Sequence, residues 1–94
     1  MFNGMSKKEL SILRNQINEL DEKLFSMIFK RMNIAKKIGK IKVHHEMEIT
    51  NSDRENELIN HILELPDNSL DQGEIESIYK LFFSISKKRQ NNDK

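Results

Sequence analysis

The sequence predicts an all-α protein of three helices, the first of them very long, and three observations carry that expectation. Apolar residues recur in steps of three and four, the spacing of one helix face, and no stretch sustains the alternation of a half-buried strand. Interruptions are few: "HHE" at 44–46, then the one proline, Pro66, with turn-forming residues after it. The first apolar series supports a helix of about 38 residues, against roughly 12 for an average globular helix.

That series is Leu10, Leu13, Ile17, Leu20, Leu24, Met27/Ile28, Ile34/Ala35, Ile38 and Ile41. Ser6 is suited to cap it, with Glu9 three residues on completing a capping box. Gly39 alone does not break it and costs about 1 kcal/mol against alanine. The first helix is therefore expected over about 6–43. A second is expected from about Asn51 to Leu65, stopped by Pro66. The third runs from about Leu70 or Gln72 to Gln90, with Ile75, Ile78, Tyr79, Phe82, Phe83 and Ile85 as its apolar face. "PDNS" and "DQG" between the last two have turn chemistry.

Length and composition bound the rest. Ninety-four residues make one domain, with a core at about 6–90 and tails at 1–5 and 91–94. Sixteen Lys and Arg against fifteen Asp and Glu leave a net charge of +1, which gives no reason to bind nucleic acid or a membrane surface. The absence of cysteine removes disulfides, thiolate catalysis and thiolate-bound zinc. No apolar run approaches the ~20 residues of a membrane span, and "MFNGMSKKEL" lacks a signal-peptide core. A soluble cytoplasmic protein is expected.

A 38-residue helix is about 57 Å long, whereas a compact chain of this size is only about 32 Å across. A partner must cover the apolar stripe of the first helix. A coiled-coil dimer would do so, but the two shorter helices favour an intertwined homodimeric bundle.

Polar residues interrupt the apolar stripes. Arg31 and Lys42, eleven residues apart, fall within about 20° of each other on the stripe of the first helix. Glu55 extends the stripe of Leu58 and Ile59, and Ile75, Tyr79 and Phe82 continue as Ser86 and Gln90. Each has a plain alternative. Lys42 could snorkel at a helix end, Glu55 could complete a capping box with Ser52, and Ser86 and Gln90 could mark a frayed terminus. Buried charges are costly unless paired or bound to something. The set is mostly cationic: Arg31, Lys42, Arg54, and Arg14 at the stripe's edge, with Glu55 the single acid. That imbalance points to a small dianion, a dicarboxylate above all, because arginine forks match carboxylates. No nucleophile triad, phosphate loop or metal cluster is present; "HHE" lacks metal-site spacing, and His61 reads as a rim residue. Such a site could bind, or catalyse by positioning and electrostatics alone.

Four segments, in order, carry a resemblance: "LRNQINELDEKL" at 13–24, "KRMNIAKKIGKIK" at 30–42, "DRENEL" at 53–58 and "IYKLFFSISKKRQ" at 78–90. Together they resemble the all-helical (AroQ-class) chorismate mutases over about residues 6–90. The resemblance implies an intertwined homodimer of three-helix protomers that rearranges chorismate to prephenate on the way to phenylalanine and tyrosine, with no cofactor. By the same resemblance, Arg31 holds one substrate carboxylate, and Lys42 contacts the other carboxylate and the ether oxygen. Gln90 donates to that oxygen, and Ser86 lies near the ring carboxylate. Arg54 and Glu55 match an "RE" pair whose glutamate takes the substrate hydroxyl, and Arg14 matches an arginine that reaches into the partner's site. Asn51 stands where the family usually has Asp; asparagine caps a helix equally well, and the family's contact there is largely through the backbone. Arg14 lies about 42 Å along the helix from Lys42, so any contribution it makes to catalysis must cross the dimer. Two rivals remain. An isochorismate pyruvate lyase would use the same cations for elimination, although the "DRE" with Glu55 favours the mutase. A catalytically silent dimerisation module would leave the coincident polar positions unexplained.

Overall fold

The computed structural model describes residues 6–66 and 69–91. They form three helices, α1 (Lys7–His44), α2 (Ser52–Leu63) and α3 (Gln72–Asn91), and no strand among the described residues. The all-α expectation holds. The "PDNS" turn falls partly on residues 67 and 68, which lie outside the described residues, as do 1–5 and 92–94.

The chain divides into two compact units, Met1–Arg31 and Met32–Lys94, with α1 continuous from one into the other. In the first unit, α1 starts on the expected cap: the Glu9 N–H donates to Ser6 Oγ at 3.2 Å. Every residue from Ser6 to Met27 is exposed. That includes the apolar series as far as Met27, from Leu13 at 43% to Met27 at 68%.

The second unit holds the core. Met32, Ala35 and Gly39 of α1 are buried, as are Ile75, Ser86 and Gln90 of α3. Ile75 is sealed most completely, at 2% exposure. α2 packs on α3 with Leu58, Ile59, Ile62 and Leu63 half-buried. Tyr79 stacks on Phe83 at 5.2 Å and meets Phe82 edge-on at 6.0 Å.

The ends of the helices have physical reasons, some of them unanticipated. α1 closes with its chain turned back on itself: Met47 N–H donates to Lys42 O at 2.7 Å, and Glu46 N–H to Val43 O at 3.2 Å. This pair of bonds needs a left-handed residue at the stop, usually glycine; here it is Glu46, at φ 56°. α2 is capped by Asn51, whose Oδ1 accepts from the Arg54 N–H at 3.0 Å. The cap is therefore not Ser52, and a Ser52–Glu55 capping box does not account for Glu55. α2 ends at Leu63 rather than Leu65 because proline disfavours helical backbone in the residue before it and its ring collides one turn back. "DQG" opens α3 instead of lying between helices: Asp71 Oδ1 accepts from the Glu74 N–H at 2.8 Å, and Glu74 Oε1 accepts from the Asp71 N–H at 2.9 Å.

Candidate functional site

The site is built where α1 and α3 cross. Met32, Ala35 and Gly39 follow at steps of three and four, so they share one face of α1. At Gly39 the helices nearly touch. A Cβ placed on this glycine would lie 2.5 Å from Gln90 Cα, and 2.8 Å from both its Cβ and its backbone oxygen. Those are backbone and near-backbone atoms, so no side-chain rotation relieves the overlap. Periodicity alone treats Gly39 as a small loss of helix propensity; the crossing requires it.

Ser86 and Gln90 face this crossing one turn apart on α3. Both are buried, at 7% and 8% exposure, and α3 continues through Asn91, so fraying does not describe them. Ser86 Oγ lies 3.6 Å from Met32 Sδ. Gln90 Oε1 is buried with no hydrogen-bond partner among the described residues. Leaving a buried acceptor unpaired costs about 1–3 kcal/mol, a penalty that native structures rarely carry.

Lys42 follows Gly39 by three residues, one turn along α1 and about 60° around it. It is half-buried, and its Nζ donates to the Ile49 carbonyl at 2.7 Å. Its own carbonyl accepts the Met47 bond that ends the helix. Lys42 is thus tied twice to the segment after α1, instead of trailing into solvent. Of the three N–H groups on an ammonium, Ile49 takes one. Asn51, capping α2, is two residues beyond Ile49, with its side-chain oxygen committed to the helix end.

Glu55 and Arg54 stand differently. Glu55 is half-buried and pairs with Lys87 of α3 at 3.2 Å, a partner that no local spacing in the sequence discloses. It lines an open groove of about 500 Å³ between α2 and α3, along with Ile59, Lys80 and Phe83. Lys42, Ser86 and Gln90 do not line that groove. Arg54 is exposed and pairs with Glu57 on its own helix at 3.3 Å. Arg31 is half-buried and Arg14 exposed, both on the α1 stretch of the first unit. Among the described residues no group of His, Cys, Asp and Glu could hold a metal, and no helix is long and apolar enough to cross a membrane.

The donors gathered at the crossing suit an anion. They are one oriented ammonium, one buried amide and one buried hydroxyl.

Known proteins resemble part of the chain. A bifunctional chorismate mutase/prephenate dehydratase of Aquifex aeolicus (strain VF5) is 36% identical over 58 residues, covering 62% of this chain and 16% of the relative. The protein of the same description from Escherichia coli (strain K12) is 33% identical over 60 residues, covering 64% and 16%. The chain matches about a sixth of the length of either relative. The family model described as chorismate mutase type II matches residues 13–91, from before Arg14 to beyond Gln90. The chain belongs to the chorismate mutase type II family.

Proposed function

We propose that this chain is a chorismate mutase, a cytoplasmic enzyme that rearranges chorismate to prephenate as a homodimer. The reaction needs no group on the protein to form a bond. Within the substrate the ether C–O bond breaks as a C–C bond forms, and negative charge grows on the oxygen. Donors already in place are what such a transition state rewards. The observation that carries the reading is the crossing at Gly39, where a buried glutamine packs on the glycine and a half-buried lysine follows it one turn along α1. Lys42 meets the ether oxygen and a carboxylate, and Gln90 donates to the same oxygen through its amide.

The remaining candidates take the roles the family resemblance gives them. Arg31 holds the second carboxylate, so that the flexible substrate stays in its compact reactive conformer. Ser86 lies near the ring carboxylate, Asn51 offers backbone contact, and Glu55 takes the ring hydroxyl. Arg54 must leave Glu57 to take part. That release is easy, because exposed pairs are worth only about 0–1 kcal/mol.

The exposed stripe of the first unit supports dimerisation. From Ser6 to Met27 its helix exposes every apolar side chain it has. A lone helix with that stripe is not stable in water, and a second copy is the cover. The dimer also brings Arg14 of one chain to the site of the other.

Steady-state kinetics with chorismate test the reading. Lys42→Ala and Gln90→Ala should each lower kcat about 10²-fold or more, as for a lost oxyanion donor, with helical content unchanged by circular dichroism. Parental turnover in both would remove the electrostatic mechanism.

A further inference from the structure

Gln90 is held in an unusual way. Its carbonyl oxygen is buried and makes no hydrogen bond among the described residues, so no such bond fixes the end of the amide. What does constrain it is the contact beneath: the Gly39 backbone lies against Gln90 Cα, Cβ and O, closer than any residue with a Cβ permits. Lys42 is three residues from that contact on the same helix. The distance between α1 and α3 at Gly39 therefore sets how far the amide stands from the ammonium.

We propose that Gly39 is a positioning residue for the reaction, its missing side chain letting α3 lie close enough to α1 to seat Gln90 beside Lys42. This rests on Gln90 acting as a donor to the ether oxygen. A methyl group at position 39 overlaps Gln90 Cα at 2.5 Å, so it must push α3 outward by the order of an ångström to reach ordinary contact. Displacement of that size at a reacting centre costs about 10²-fold in rate. The loss falls on the transition state, because the negative charge that Gln90 meets develops only there.

The test is a double-mutant cycle on the full chain. Parent, Gly39→Ala, Gln90→Ala and the double variant are assayed with chorismate, alongside circular dichroism and light scattering. Gly39→Ala is expected to stay folded and lose about 10- to 100-fold in kcat with KM within about 3-fold. In the Gln90→Ala background the same change should cost less than about 2-fold, because the group it positions is gone. Ala35→Gly, which alters the same buried face one turn earlier, should keep kcat within about 3-fold of the parent.

Parental kcat in Gly39→Ala overturns the proposal while leaving Gln90 as donor. An equal loss in both backgrounds, an equal loss in Ala35→Gly, or failure of Gly39→Ala to fold also overturns it, since the glycine then serves the bundle in general. Parental kcat in Gln90→Ala instead defeats the donor role on which the inference rests.

Discussion

Glu46 sits at φ 56°, where a side chain crowds the following carbonyl, and no other described non-glycine residue has a positive φ. The left-handed conformation costs an L-residue about 1–2 kcal/mol relative to glycine. Glycine in turn loses more unfolded-state freedom on folding, which takes back about 0.4–1 kcal/mol. Glu46→Gly should therefore stabilise each chain by about 0.5–1 kcal/mol, a rise in Tm of about 2–8 °C for a chain this small. The two bonds that end α1, Met47 N–H to Lys42 O and Glu46 N–H to Val43 O, involve backbone only and survive the change. Lys42 keeps its place for the same reason, so kcat with chorismate should stay within about 2-fold. Thermal melts followed by circular dichroism at fixed protein concentration read the stability. A Tm that is unchanged or lower would refute the reasoning, either because Glu46 does not hold that conformation or because its side chain stabilises the stop.

Other consequences are as direct. Ile75→Ala should destabilise by about 2–5 kcal/mol in urea, since the side chain at 2% exposure leaves a cavity; a loss under ~1 kcal/mol would place the core elsewhere. Lys87→Met should cost no more than about 1 kcal/mol and lose its effect at high salt, because the Glu55–Lys87 pair is partly exposed; a larger, salt-independent loss would mean a more buried clasp. Light scattering at micromolar concentration should give twice the 11.2 kDa chain mass. Arg14→Ala and Lys42→Ala chains, each nearly inactive alone, should recover about a quarter of parental activity when unfolded and refolded together, because half the dimers are mixed and each mixed dimer has one intact site. Mixed dimers that gain nothing over an unmixed control would rule out a shared site.

Much of this was legible in the sequence because helices advertise themselves through local spacing. The three-and-four steps of Leu10 to Ile41 gave α1 within one residue at either end, and Ser6 with Glu9 gave its cap. Lys42, Ser86 and Gln90 stood out as polar residues on apolar stripes, and all three are at least half-buried. What escaped detection depends on contacts between distant segments or on backbone shape. Gly39 reads as a weakness until α3 is laid across it. Lys87 reads as a surface charge until α2 brings Glu55 to it. Glu46 gave no turn signal, since the left-handed stop usually falls to glycine or asparagine. The Asp71–Glu74 box could have been found, being an N-cap acid with a glutamate three residues on.

Identifying the product is the sharpest check on the rearrangement. The purified chain is incubated with chorismate and the mixture followed by proton NMR. Chorismate should disappear and prephenate appear in equal amount, with no added metal or cofactor and no pyruvate released by the protein. Unchanged chorismate at micromolar protein, or release of pyruvate in place of prephenate, would contradict the proposed rearrangement.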